Sequence, residues 1–260
     1  MSETTASPTL SGKLAWITGA SSGIGRAVAL RLAGEGYRVA VSARSGNGLE
    51  ELAAAHPGRV FSFPLDITDR EAALATAEEI RAVHGPIDLA IFSAGTYKRD
   101  SVRHFDSRDL AAIVNLNVIG TGHTLEAVIP DMVARRHGEI AVIASVAGLV
   151  GLPGGGFYGA SKAALNNLCQ ALYPELKREG VNLRIINPGF VDTPLTQKND
   201  FPMPFLVSSD GAADAIVSGL KTSRYEIIFP WKMALGIKFL AALPKSLLFR
   251  ITRRMLRKPQ

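Results

Sequence analysis

Short apolar runs alternate along this chain with longer stretches of helical periodicity, and that alternation leaves few folds open. The runs at 14–17, 39–41, 60–63, 89–92, 139–144, 183–186 and 226–229 are too short for helices and mostly apolar throughout. Strands of that kind are buried on both faces, as in a parallel sheet. Parallel neighbours need crossovers, and helices supply them. Helical patterns cover 24–35, 108–135 and 157–178; Gly36 stops the first, and Pro174 is expected to bend or trim the last. The fold class this predicts is α/β, a doubly wound parallel sheet. Its ligand site should lie beyond the carboxyl ends of the strands.

The chain has 260 residues, 47% of them apolar, and no repeat or low-complexity linker divides it, so a single domain is expected. Positions 1–11 are polar, lack the regions of a signal peptide, and read as a flexible N-terminal tail. Cys169 is the only cysteine, so no disulfide can form within the chain; the expected compartment is the cytoplasm. The net charge of +6 is unevenly placed. Positions 231–260 hold eight bases (Lys232, Lys238, Lys245, Arg250, Arg253, Arg254, Arg257 and Lys258) and no acid. Taking these eight from the 29 bases leaves 21 against 23 acids, so positions 1–230 carry −2. The basic balance belongs to the C-terminal extension, and a general nucleic-acid surface is not expected.

The turn Thr18-Gly19-Ala20-Ser21-Ser22-Gly23-Ile24-Gly25 follows the first run and opens the first helix. There, glycines permit a tight turn and a close approach to a pyrophosphate, while the helix N-terminus adds free N–H groups. Gly19, Ser21, Ser22, Gly23, Ile24 and Gly25 are therefore candidate cofactor-binding residues. The alternative is a tight strand–helix connection with no ligand. An acid at the end of the second run would hold a ribose 2′-hydroxyl. This chain has Ser42-Ala43-Arg44-Ser45 instead, with no acid before Glu50. A guanidinium at that place pairs with a 2′-phosphate, so Arg44 and Ser45 favour NADP(H) over NAD(H). The alternative for Arg44 is a solvated surface position.

Tyr158 and Lys162, four apart, share one helix face, with Ser145 thirteen positions upstream. A free phenol titrates at about 10, and a nearby ammonium lowers that value. The expectation is that Lys162 lowers the Tyr158 pKa, that Tyr158 exchanges a proton with a carbonyl oxygen, and that Ser145 orients that oxygen. The five histidines show no metal-ligand spacing, and this chemistry needs no metal.

The glycine-rich turn, Ser145, Tyr158-x-x-x-Lys162 and Asn187-Pro188-Gly189, in this order over roughly 12–195, resemble the short-chain dehydrogenase/reductase family. The resemblance implies a single Rossmann-fold domain, NAD(P)-dependent carbonyl–alcohol chemistry and assembly as a homo-oligomer through two long helices. It implies a fourth catalytic residue on the long helix. Asn117, followed three residues later by Gly120, fits better than Asn115. It also implies that Lys162 binds the nicotinamide ribose, that Asp66 contacts the adenine, and that Ala94-Gly95 lets the cofactor approach closely. Pro188, Gly189, Val191 and Thr193 would form the nicotinamide loop, with Thr193 at the carboxamide. Phe92-Ser93-Ala94-Gly95 departs from the family's usual Asn-Asn-Ala-Gly, and Ala144 replaces a commonly seen serine.

Residues after Thr193 should shape the substrate site. The stretch 195–207 is apolar and punctuated by proline, as a lid would be, and favours a hydrophobic carbonyl substrate. Positions 231–260 interleave large apolar residues with the eight bases, broken near Pro244. That pattern fits two basic amphipathic helices at an anionic membrane surface, and it equally fits helices packed on the domain or on a second subunit. The expected division is a tail at 1–11, a catalytic domain at 12–230 and the extension at 231–260. The expected function is NADPH-dependent reduction of a ketone or aldehyde. An alcohol or hydroxysteroid dehydrogenase working in the oxidative direction is the alternative, as is a non-catalytic dinucleotide-binding scaffold or redox sensor at a membrane surface.

Overall fold

Each of the seven apolar runs forms a strand. The computed structural model describes residues 12–256 apart from positions 198 and 200. The strands are β1 (Leu14–Thr18), β2 (Arg38–Ser42), β3 (Val60–Ser62), β4 (Leu89–Phe92), β5 (Gly138–Ile143), β6 (Val181–Pro188) and β7 (Glu226–Phe229). They form one parallel sheet in the order β3-β2-β1-β4-β5-β6-β7. The expected tail at 1–11, together with Arg257 and Lys258, lies outside the described residues.

Side chains alternate across each strand, and both faces are buried. Leu14 and Trp16 of β1 point into one layer, with Ala90, Phe92, Ile140 and Val142. Helices α3 (Arg70–His84), α5 (Thr121–Arg135) and α6 (Gly156–Arg178) close that layer with Ile80, Met132 and Leu165 among others. Ala15 and Ile17 point the other way, with Val39, Val41, Ile91 and Ile143. There α1 (Gly23–Gly34), α2 (Gly46–Ala55) and α7 (Ser209–Leu220) contribute Val28, Leu49 and Ile216. This two-sided burial is why the runs are apolar throughout instead of alternating with polar residues. The sequence patterns set no bounds for α2, α3 and α7.

Two helices differ from expectation. The long helix at 108–135 has three parts: α4 (Ser107–Val114), a π-helical segment (Asn115–Gly120), then α5. The wider turn frees backbone groups, and the Thr121 hydroxyl donates to the Asn117 carbonyl at 2.8 Å. Pro174 does not trim α6, which continues to Arg178. After β7 come α8 (Trp231–Ala242) and α9 (Lys245–Thr252), broken at Leu243-Pro244. Among the described residues no helix is long and apolar enough to cross a membrane.

Candidate active site

The strand order reverses between β1 and β4, and the crevice beyond their carboxyl ends is where ligands bind in open α/β sheets. The chain passes close to itself there. Gly19 has φ +68°, and a Cβ on it would stand 2.6 Å from the Ala94 nitrogen, so only glycine fits the junction of the two loops. A Cβ on Gly23, which has φ +55°, would stand 3.0 Å from the Thr193 side chain. A cavity of about 680 Å³ opens at this point. Gly19, Ser21, Ser22, Gly23, Ile24, Arg44, Ser45, Asp66, Ala94, Gly95, Ser145, Tyr158, Lys162, Pro188, Gly189, Val191 and Thr193 all line it. Gly25 and Asn117 do not. Gly25 packs behind the turn against the Gly19 carbonyl, which leaves no room for a Cβ.

At the β2 end, Arg44 is exposed, and its guanidinium makes no ion pair among the described residues. Asp66 accepts from the Thr68 backbone at 3.0 Å and from its hydroxyl at 2.8 Å. Those bonds, with a smaller contribution from the Arg44 charge, hold its carboxyl below the usual range. Positive-φ glycines, the open N-terminus of α1, a lone guanidinium and this volume fit a dinucleotide. Among the described residues no group of three or more His, Cys, Asp or Glu side chains is placed to hold a metal.

At the β5 end, Ser145 caps a short turn and α6 presents Tyr158 and Lys162. Ser145 is buried, its hydroxyl donates to the Pro188 carbonyl at 3.4 Å, and it lies close enough to Tyr158 to act on the phenol's pKa. Lys162 is also buried and donates to the Ile143 carbonyl at 2.8 Å, with its ammonium 5.7 Å from the centre of the Tyr158 ring. The lysine was expected to pull the phenol down, but the phenol is raised, with burial the largest cause. Burial pushes Tyr158 up to about 12 against the opposing influence of Ser145, and holds Lys162 down to about 8. Tyr158 is therefore protonated at neutral pH.

Asn117 is fully buried, whereas Asn115 is exposed. The Asn117 oxygen accepts from the Thr96 nitrogen at 2.7 Å. Its amide donates to the Thr96 carbonyl at 3.0 Å and to Ser161 at 2.9 Å. The side chain thus ties the loop after β4 to the helix that carries Tyr158. Gly120 is needed beside it, because a Cβ there would stand 2.7 Å from Ile67.

A second network joins Asn187, part of the Asn187-Pro188-Gly189 motif, to Asn166 and Glu226, which carry no local sequence signal. The Ser145 nitrogen donates to Asn187 at 3.1 Å. The Asn187 amide donates to Asn166 at 3.0 Å and to Glu226 at 2.9 Å, and Asn166 donates to the Lys162 carbonyl at 3.0 Å. Glu226 also pairs with Lys238 of α8. Tyr97 packs edge-on against Tyr158, their ring centres 5.4 Å apart. The Asp100 carboxylate accepts from the Phe157 nitrogen at the start of α6. These partners are distant in sequence, so only the fold identifies them.

A family model described as short chain dehydrogenase matches residues 13–202. The chain belongs to the short-chain dehydrogenase/reductase family.

As a family member it is an NAD(P)-dependent oxidoreductase with the Rossmann-type sheet described above. It is 36% identical over 249 residues to an uncharacterized oxidoreductase of Myxococcus xanthus, covering 95% of this chain and 98% of that one. It is 34% identical to the 3-oxoacyl-[acyl-carrier-protein] reductase of Thermotoga maritima, over 73% of this chain and 78% of the other. Among solved structures, a Burkholderia cenocepacia short-chain dehydrogenase in complex with NADP superposes with a TM-score of 0.82 at 25% identity, covering 96% of this chain and all of that one. A Burkholderia phymatum family member in complex with NAD matches the fold at a TM-score of 0.81 and 23% identity, covering 88% and 93%.

Proposed function

We propose that this short-chain dehydrogenase/reductase uses NADPH to reduce a hydrophobic ketone or aldehyde to the alcohol. The observation that carries the proposal is the placement of a protonated Tyr158 with Ser145 and Lys162 in one cavity with the unpaired Arg44. Arg44 follows β2 and Ser145 follows β5, three strand spacings away, or roughly 14 Å. That separation suits the two ends of one dinucleotide. Ser21, Ser22, Gly23 and Ile24 would hold the pyrophosphate on the α1 N-terminus. Arg44 and Ser45 would take the 2′-phosphate, with Asp66 toward the adenine. Lys162 would hold the nicotinamide ribose, and Pro188, Gly189, Val191 and Thr193 the nicotinamide.

NADPH, when bound, supplies the hydride to the carbonyl carbon. Ser145 orients the carbonyl oxygen, and Tyr158 donates its proton to that oxygen as negative charge develops there. The Lys162 ammonium stabilises the phenolate left behind. A phenol held protonated up to about 12 starts in the acid form that reduction requires, and this supports the reductive direction. Asn117 keeps the Tyr158 helix and the loop after β4 in register. Pro194 and Leu195 on the cavity wall supply apolar surface for the substrate. By its name, the Thermotoga maritima relative acts on a 3-oxoacyl chain, a ketone on an apolar tail, which agrees with that surface. The proposal further places the enzyme in the cytoplasm as a homo-oligomer.

The test is a panel of carbonyl compounds assayed by NADPH consumption, with NADH in parallel. Tyr158→Phe should retain NADPH binding and lose roughly 100- to 10,000-fold in turnover. Turnover by this variant close to the parent's would refute the assignment of Tyr158.

A further inference from the structure

The two C-terminal helices leave apolar and basic side chains uncovered, and α8 stands at the rim of the active site. α8 starts directly after β7, at the carboxyl edge of the sheet, which is the edge that carries the cavity. Its buried residues Met233 and Ala234 anchor it, and the Met233 sulfur fills the space where a Cβ of Gly189 would stand. The helix is therefore built onto the nicotinamide loop itself. Its outward stripe, Trp231, Leu235 and Phe239, repeats every four residues and is 69%, 66% and 62% exposed. In α9, Leu248 and Thr252 turn inward, while Leu247 and Phe249 remain exposed. Phe205 and Leu206, at the end of the loop that lines the cavity with Pro194 and Leu195, add exposed apolar surface.

The charge on these two helices and the turn after them has one sign. Positions 231–256 contain no Asp or Glu. Lys238 is neutralised by Glu226, but Lys245, Arg250, Arg253 and Arg254 are exposed and make no ion pair among the described residues. We propose that this face docks on an anionic membrane, holds the cavity mouth against it, and admits a carbonyl compound dissolved in the bilayer. The docking half stands on the face alone, and the substrate half rests on the reductase reading above.

An exposed apolar stripe with tryptophan at its edge and unpaired bases around it is the composition of a helix lying in a lipid interface. Anionic headgroups supply the charge that the protein does not. A second copy of the chain fits less well, because a two-fold contact sets the same patch against itself. Bases would then face bases with no carboxylate on the face between them.

The experiment is co-sedimentation of the full chain with vesicles of phosphatidylcholine alone or mixed with phosphatidylglycerol. Binding is expected only to the mixed vesicles and should weaken with added salt. Arg253→Gln/Arg254→Gln should lower the affinity about 30-fold. Leu235→Ser/Phe239→Ser should lower it at unchanged charge. Both double variants should reduce a water-soluble carbonyl at the parent rate, yet slow on a long-chain carbonyl held in mixed vesicles. Absence of binding to mixed vesicles overturns the docking proposal, as does binding that neither double variant weakens. An oligomer that dissociates in Leu235→Ser/Phe239→Ser while vesicle binding is unchanged assigns the face to self-association and also overturns it. Binding by a protein that reduces no carbonyl in either phase leaves the docking standing and removes the reductase reading.

Discussion

Tyr158 and Lys162 are shifted in opposite directions by the same cause. Burial disfavours phenolate and ammonium alike, so the phenol sits at about 12 and the lysine at about 8. At pH 7 both carry their protons. As pH rises through about 8, Lys162 loses the charge that would stabilise the phenolate after proton donation, while Tyr158 remains an acid. For the proposed reduction, kcat/KM, which reports groups of the free enzyme, should therefore fall above an apparent pKa near 8. A profile level to pH 10 would contradict this role for Lys162. Arg44 yields a prediction at the same scale. A charge-assisted hydrogen bond to a 2′-phosphate contributes about 1.5–3 kcal/mol. Arg44→Asp should therefore weaken NADPH by roughly 10- to 100-fold and leave NADH far less affected; an unchanged ratio in parallel titrations argues against the phosphate contact.

The π-helical segment shows how an element serves one residue. Sequence periodicity reads 108–135 as a single helix, and the apolar spacing supports that. The extra residue in the wide turn brings Asn117 inward, where its amide meets Thr96 and Ser161, and Gly120 lets the segment close against Ile67. Gly120→Val should therefore destabilise the fold by about 1–3 kcal/mol through overpacking. It should lower turnover as well, because displacing the segment moves Asn117. Denaturant titration and kinetics on the same preparation check both, and an unchanged midpoint would show that Ile67 yields without cost. Asn117 was legible because family members carry asparagine with glycine three residues on. The π geometry was not, and the segment's partners Ile67 and Thr96 lie in other parts of the chain.

Over the whole molecule, the cavity is assembled from the ends of β1, β2, β4, β5 and β6, so a ligand filling it binds the folded chain alone. NADPH at a hundred times its Kd should stabilise the protein by about 2.7 kcal/mol, visible as a rise of several degrees in Tm. NADH at the same concentration should raise Tm less, and equal shifts would remove the case for NADP(H) preference. The charge distribution also operates at this scale. The sequence places the excess of bases in positions 231–260, and the fold sets α8 of that segment against Gly189 and, through Lys238 and Glu226, in hydrogen-bonded connection with Asn187 and the Ser145 backbone.

The sequence by itself determined the sheet, the glycine-rich turn, the Ser145, Tyr158 and Lys162 set, and the position of Arg44. Each depends on local pattern: burial on both strand faces, glycine where φ is positive, or a fixed spacing on one helix face. Tertiary structure decided what depends on burial and on distant neighbours. It buried Asn117 and left Asn115 exposed, placed Gly25 behind the turn, and joined Asn166, Asn187 and Glu226 beneath the site. It also reversed the expected shift of Tyr158, because desolvation depends on everything packed around a group, whereas sequence spacing gives only its neighbour along the helix.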